Sequence, residues 1–299
     1  MRKALTSILE LLLVSLVASV HFSSLENLKK IVSDFLKKAE YEVQLVAYGV
    51  TDADILALLK NLENKGIDVK VVGESVSGRL KAFVDTAESL LHAKYIVLDR
   101  GKVLFGSANF TKNGLEEDLN AVMILDSEKV SAFFSSITEW LIKGVEPLHS
   151  LETDFGRFLL VPFVDAEEEI SRILRRARKS VKLCYYAFSD EDIFALLKYL
   201  SSCGVSVKMI LDDWIESSRL SKLRWGGFDV KVVEKPLLHH KFLIVDDKIL
   251  VFGSANLTES GLHKNVEVIF ETQKKDVVRD FIEEFERLWE NETIQGFRI

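Results

Sequence analysis

Cysteine is nearly missing from this chain of 299 residues. Only Cys184 and Cys203 occur, with no Cys-x-x-Cys and no Cys/His cluster. That excludes a disulfide framework and a structural zinc site. One Cys184–Cys203 bond or two unrelated thiols remain. An excess of positive charge is missing as well. Lys and Arg number 39 against 46 Asp and Glu, a formal charge of −7. A wholly basic coat for a polyanion is excluded, because such affinity comes mainly from Lys and Arg on phosphates. A local basic cleft stays open. Gln and Asn are scarce, which suits a hot habitat. Long apolar runs are missing beyond the N-terminus. The 48% hydrophobic and 28% charged content is that of a globular protein, with enough length for a sizeable core.

The N-terminus has Arg2 and Lys3, then an apolar run from Leu11 to Val20, with Val17-Ala18-Ser19 as a small-residue cleavage site. This pattern is that of a secretory signal peptide. Glu10 interrupts it, and the run is short for a span of about 20 residues. An uncleaved anchor and a first cytoplasmic helix are the alternatives. The expectation is a leader over 1–19 and a protein that is secreted, periplasmic or anchored to a membrane by its N-terminus.

What the chain does have is an internal repeat. The block from Ala47 to Val72 matches the block from Tyr185 to Ile210 at a shift of 138. The block from His92 to Leu115 matches His239 to Leu262 at a shift of 147. The second copy therefore carries 147 − 138 = 9 extra residues between Leu211 and Pro236. Each copy predicts an amphipathic helix (Leu28, Ile31, Val32, Phe35, Leu36; then Ile170, Ile173, Leu174, Ala177), a buried strand (43–47; 181–185) and a helix capped by Asp52 or Asp190. A further strand, a strand–turn–strand and a closing helix follow. The fold class is α/β, as two tandem α-β-α sandwich repeats with pseudo-two-fold symmetry, over 20–143 and 157–299. Residues 144–156, with Pro147, read as the linker. Sharing one edge favours a two-lobed monomer.

Both copies carry His-x-Lys, four residues, Asp, six residues, then Gly-Ser-x-Asn. These are His92, Lys94, Asp99, Ser107 and Asn109, and then His239, Lys241, Asp246, Ser254 and Asn256. Residues two apart on a strand share a face, so each His and Lys point together. Imidazole beside ammonium suits an anion, and Ser and Asn add neutral donors to it. Two such half-sites facing each other place two imidazoles on either side of one phosphate, held by two lysines. One imidazole can attack phosphorus while the other protonates the leaving oxygen and then activates water. A buried strand has no structural need for His and Lys on one face, since burying them unpaired costs free energy.

At these residues the sequence resembles the phospholipase D superfamily, which is marked by this His-Lys-Asp motif in two copies. The resemblance covers nearly all of the chain after the leader. It implies a phosphodiesterase or phosphatidyltransferase that works without metal or other cofactor through a phosphohistidine, with its site between the lobes. It places Asp99 and Asp246 behind the site as loop supports. It also implies an acidic residue downstream that hydrogen-bonds the catalytic His. Glu267 is expected in that place beside His239. The aligned residue of the first copy is Asn120, so either Asp118 substitutes for it or that half-site lacks a carboxylate. A carboxylate stabilises imidazolium. His239 beside Glu267 is therefore expected to be the general acid, and His92 beside Asn120 the nucleophile.

Other polar residues carry weaker expectations. His240 points to the opposite sheet face from His239, in packing or at the surface. His21, His149 and His263 have no evident partner. Arg172, Arg175, Arg176 and Lys179 form a stripe that suits anionic lipid or nucleic acid, or a mixed-charge face given Glu167 to Glu169 before it. Trp214 and Trp225, in the insertion, suit a cleft entrance, a lipid surface or buried packing. Asp212-Asp213 reads as a strand-end cap rather than a metal site. A phospholipid-hydrolysing enzyme with peripheral membrane contact is the leading function. A nuclease on DNA or RNA, a phosphatidyltransferase of the cardiolipin synthase type, and a non-catalytic phosphate-binding protein are the alternatives.

Overall fold

The computed structural model describes residues 18–77, 82–84, 89–217, 227–291 and 295–298. The first 17 residues of the expected leader and Trp225 lie outside them.

Two helices with apolar stripes and a run of almost wholly apolar strands build each half. In the first half a seven-stranded sheet holds β1 (Ala18–Phe22), β2 (Glu42–Val46), β4 (Asp68–Gly73), β6 (Ala82–Val84), β7 (Tyr95–Leu98), β8 (Lys102–Gly106) and β9 (Ala121–Asp126). Their order is β1-β9-β8-β7-β2-β4-β6, and the two-residue strands β3 (Gly49–Val50) and β5 (Ser75–Val76) pair beside it. In the second half a nine-stranded sheet holds β10 (Ser150–Glu152), β11 (Arg157–Val161), β12 (Ser180–Tyr185), β13 (Ser206–Asp212), β14 (Asp229–Val233), β15 (Lys241–Val245), β16 (Ile249–Gly253), β17 (Glu267–Thr272) and β18 (Gln295–Arg298). Its order is β10-β11-β17-β16-β15-β12-β13-β14-β18. Without the outer strands β10 and β18, the two orders correspond strand for strand. The expected linker is partly ordered sheet, because β10 pairs antiparallel with β11. Ala18 and Ser19, assigned to the leader, pair with Leu125 and Ile124 as part of β1.

Helices α1 (Leu28–Leu36), α2 (Ala53–Asn64), α4 (Ala166–Leu174) and α5 (Glu191–Ser202) cover the outer faces. Helices α3 (Glu128–Lys143) and α7 (Lys275–Glu290) join the sheets in a shared inner core; α6 (Glu259–His263) is one short turn. Asp52 and Asp190 cap α2 and α5 as expected, accepting from the N–H groups of Ile55 and Ile193. The inner core is aromatic. Phe105 of the first sheet lies 5.7 Å from Phe252 and 5.8 Å from Phe270 of the second, and Phe158 stacks on Phe270 at 4.6 Å. With both faces covered, β2 and β15 are buried at every residue, and β15 is a continuous apolar run after Lys241. This core fixes one sheet against the other. Both cysteines are free, Cys184 buried and Cys203 exposed.

The hairpins β7–β8 and β15–β16 turn through Asp99-Arg100 and Asp246-Asp247, all four at φ of 50–54°. Asp tolerates that left-handed region better than most residues. Asp99 also accepts hydrogen bonds from the N–H groups of Glu40, Tyr41 and Glu42, and Asp246 from those of Arg178, Lys179 and Ser180. Each motif aspartate thus ties the hairpin to the segment that enters β2 or β12.

Candidate active site

Strands β2 and β12 end, and β7 and β15 begin, at the same edge of their sheets. The two edges meet across the lobe boundary through backbone hydrogen bonds. Val266 N–H donates to Leu90 O at 2.8 Å and His92 N–H to Val266 O at 3.0 Å. In the other direction Leu119 N–H donates to Leu237 O at 2.8 Å and His239 N–H to Leu119 O at 2.9 Å. The segment before each motif histidine is therefore paired with the other repeat, at the approach to β17 or β9.

This crossing corrects the expected histidine partners. Glu267 belongs with His92, not His239: His92 Nδ1 lies 2.8 Å from Glu267 Oε1. Asn120 belongs with His239, whose Nδ1 lies 3.0 Å from Asn120 Oδ1. Pairing within one repeat fails because each β9 or β17 start stands against the facing lobe. Asp118 does not replace a carboxylate at His92. It is half-buried, and the charges acting on it are those of Glu117 and Lys241.

The serines also differ from expectation. Ser107 and Ser254 are buried and turned into their own lobes. Ser107 Oγ donates to Asn120 Oδ1 at 2.7 Å, and Ser254 Oγ donates to Glu267 Oε2 at 2.5 Å. Each serine also accepts from the backbone, at Ala121 or Val268. They hold the residue that serves the opposite histidine. The preceding glycines let this happen, since a Cβ on Gly106 or Gly253 would collide with the carbonyl of Ala121 or Val268. The Asn109 and Asn256 Oδ1 atoms approach the N–H groups of Gly49 and Ala187 at 3.4 Å, which leaves both amide NH2 groups to face outward contacts.

The rings of His92 and His239 stand 6.5 Å apart, centroid to centroid, near perpendicular. Lys94 Nζ donates to His92 O, and Lys241 Nζ donates to His239 O at 2.9 Å. Both lysines and Glu267 are fully or almost fully buried. Tyr48 and Tyr186, equivalent at the shift of 138, flank the histidines at 6.4 and 5.4 Å, and Trp214 is 6.0 Å from Tyr186. The motif search missed these tyrosines, although the repeat alignment pairs them.

Burial brings the Lys94 ammonium down to about 7 against the pull of Glu267 and Glu74. Burial and Lys94 push Lys241 well below its ordinary value, opposed by Glu267, Asp118 and Asp212. Burial lowers His92, with Glu267 opposing. Burial and the cations Lys241 and Lys94 push His239 well down, with no carboxylate beside it. Burial alone would raise Glu267; His92, Lys94 and the Ser254 hydroxyl hold it below the usual carboxylate range instead. An ionised Glu267 only accepts, so His92 Nδ1 carries its proton toward it. Asn120 is oriented by its amide donating to Gly114 O and its oxygen accepting from Ser107, so His239 Nδ1 is a donor too. In both rings Nε2 is the nitrogen left for chemistry.

The remaining polar residues lie elsewhere. His240 is buried against Glu284 of α7. His21, His149 and His263 pair with Glu26, Glu146 and Glu167. Arg172 and Arg175 are engaged by Glu169 and Glu168, a mixed-charge face. Among the described residues no three metal-ligating side chains converge. No described helix is long and apolar enough to cross a membrane.

The model of a family described as "Cardiolipin synthase, PLD-like domain" matches residues 32–142 and 170–289. Mitochondrial cardiolipin hydrolase of Homo sapiens is 38% identical over 131 residues, 42% of this chain and 52% of that protein. A phospholipase D of Rickettsia conorii is 26% identical over 125 residues, 38% of this chain and 62% of that one. The chain thus spans about half the length of the curated relatives it matches. Among solved structures, phosphatidylserine synthase of Haemophilus influenzae superposes with a TM-score of 0.74 at 14% identity, over 93% of this chain and 87% of that one. Polyphosphate kinase of Porphyromonas gingivalis gives 0.73 at 16% identity, over 94% and 48%. At these identities the two structures share the fold.

Proposed function

Because the chain belongs to the phospholipase D superfamily, whose domain is matched in both of its halves, we propose that it hydrolyses a phosphodiester without metal through a phosphohistidine on His92. The observation that carries this is the pair of imidazoles, donated by opposite halves, 6.5 Å apart between two buried lysines. Reacting atoms in a near-attack arrangement stand about 3–3.5 Å apart, and rings this close can both reach one phosphoryl group.

In the first step His92 Nε2 attacks phosphorus while the bond to the leaving oxygen breaks. That oxygen takes the proton of His239 Nε2. The phosphoryl-imidazole still carries its Nδ1 proton and is a cation, which Glu267 stabilises. In the second step His239 Nε2 takes a proton from water, the water oxygen bonds to phosphorus, and the P–N bond breaks. The substrate anion raises the proton affinity of His239, which is neutral in the empty site. Lys94 and Lys241, with the amides of Asn109 and Asn256, bind the phosphoryl oxygens.

A phospholipid is the proposed substrate. Cardiolipin hydrolases and a phospholipase D are among the relatives. The carboxylates of Asp118, Asp212 and Asp213 all act on Tyr186 beside His239, which disfavours a long polyanion there. The N-terminal apolar run is proposed to bring the protein to a membrane, as an exported or anchored form. The test offers the full chain a chromogenic phosphodiester in EDTA, then phospholipid vesicles and single-stranded DNA separately. Turnover in EDTA and release of lipid headgroup are expected. Loss of turnover in EDTA would overturn the metal-free mechanism, and cleavage of DNA alone would replace the lipid by nucleic acid.

A further inference from the structure

Two carboxylates outside the motifs, Asp212 buried and Glu74 partly buried, occupy equivalent places in the repeats. Glu74 maps onto Asp212 at the shift of 138, and Leu91 onto Leu238 at the shift of 147. Glu74 Oε1 accepts the backbone N–H of Leu91, and Asp212 Oδ2 accepts that of Leu238 at 2.9 Å. Leu91 and Leu238 immediately precede His92 and His239. Glu74 directly follows β4, and Asp212 is the last residue of the equivalent parallel strand β13. Each therefore links that strand to the segment that presents the histidine. Asp212 does cap its strand end, accepting Trp214 N–H at 3.1 Å, but its second oxygen has this other task. Each also lies within the electrostatic reach of its own motif lysine, Glu74 of Lys94 and Asp212 of Lys241.

We propose that Glu74 and Asp212 are a symmetric pair of positioning residues, each anchoring the backbone ahead of one catalytic histidine and supplying counter-charge to that repeat's lysine. The proposal rests on the site assigned above. The geometry explains why an acid is used where a backbone N–H needs only an acceptor. Gln and Asn would accept that hydrogen bond equally well. They would not offset the charge of an ammonium held out of water, which is costly to bury unpaired. Lys94 is faced by Glu267 and Glu74, while Lys241 is repelled by Lys94 and faced by Glu267, Asp118 and Asp212. Glu267 already serves His92 and Ser254.

The substitutions Glu74→Gln and Asp212→Asn keep the acceptor and remove the charge; Glu74→Ala removes both. Thermal midpoints establish folding. The profile of kcat/KM against pH reads ionisations of the free enzyme. Removing the carboxylate makes the ammonium easier to deprotonate, so activity falls at lower pH. The alkaline limb of Glu74→Gln is expected to move down by about one unit, with the thermal midpoint little changed. Glu74→Ala adds a loss of about 10²-fold in kcat from displacement of His92. Carbon-13 NMR of the lysine Cε signals supplies a readout without substrate, in which the Lys94 titration moves down in Glu74→Gln. An unmoved Lys94 titration in a folded Glu74→Gln protein would overturn the proposal. Were the wild type to cleave no phosphodiester, the assigned function would fall while the NMR titration still decided this one.

Discussion

The two half-sites are built from the same motif yet are served unequally. His92 has a carboxylate behind it, Glu267, and His239 has an amide, Asn120. Several groups around them are matched: Ser107 and Ser254 hold those partners, Lys94 and Lys241 cap the carbonyls, and Tyr48 and Tyr186 flank the rings, whereas Asp118 stands where the second repeat has Asn265. One substitution in one repeat thus alters the histidine of the other. The acid behind one imidazole and the amide behind the other make the two half-sites chemically unequal. In the proposed mechanism, the imidazole that becomes a lasting cation, by bonding to phosphorus, is the one with the anion. The imidazole that must release its proton readily is the one without.

Removing either ring tests that division most strongly. His92→Ala and His239→Ala should each lose about 10⁴-fold of turnover. Their signatures should differ. With a p-nitrophenyl ester, whose leaving group needs no acid, His239→Ala should accumulate labelled phosphoenzyme at His92, and His92→Ala should form none. Label on His239 in the wild type would reverse the roles.

Exchanging the partners is the next largest effect. Glu267→Gln should cost about 10³-fold in kcat, because an amide can face Nδ1 with its NH2 group and turn the ring to the wrong tautomer. Asn120→Asp should cost less than about tenfold, yet move the ionisation of the general acid His239 to higher pH by about one unit, since a new carboxylate favours its protonated form. Equal losses from the two variants would dissolve the asymmetry.

The lysines sharpen the comparison by pH. Lys94 releases its proton at about 7 in the empty site. Protonated below that value and neutral above it, Lys94 loses its hold on the phosphoryl oxygens as pH rises. A fall in kcat/KM above about pH 7, abolished in Lys94→Met, is the expected result. A profile flat from pH 6 to about 9 would show that this charge is not used.

The smallest effect is expected where the halves are alike. Asp99→Ala and Asp246→Ala each remove the acceptor for three backbone N–H groups and force an unfavourable turn. Both should lower the thermal midpoint by a few degrees, about equally, with KM unchanged. A change in KM from either one would move the motif aspartates into the site.

Much of this was legible because it is local. Strand and helix order follows from period and caps, as at Asp52 and Asp190. The motif spacing brought His and Lys to one edge, and the shifts of 138 and 147 paired the halves. The shift of 138 also joined Glu74 to Asp212 and Tyr48 to Tyr186, but a motif search had no reason to weigh them. The serines misled because a hydroxyl next to an anion site resembles a donor, and only coordinates show it spent on Asn120 or Glu267. The expected linker hid β10, which is three residues long and takes its order from pairing with β11.

Sequence alone determined the duplication, the α/β order and the inventory of reactive groups, since each depends on residues close in the chain or on repetition. Tertiary structure alone decided which acid stands behind which imidazole. That pairing joins residues 175 apart for His92 and Glu267, and 119 apart for Asn120 and His239. It depends on how two sheets dock around a shared aromatic core, and no periodicity within either repeat records the docking.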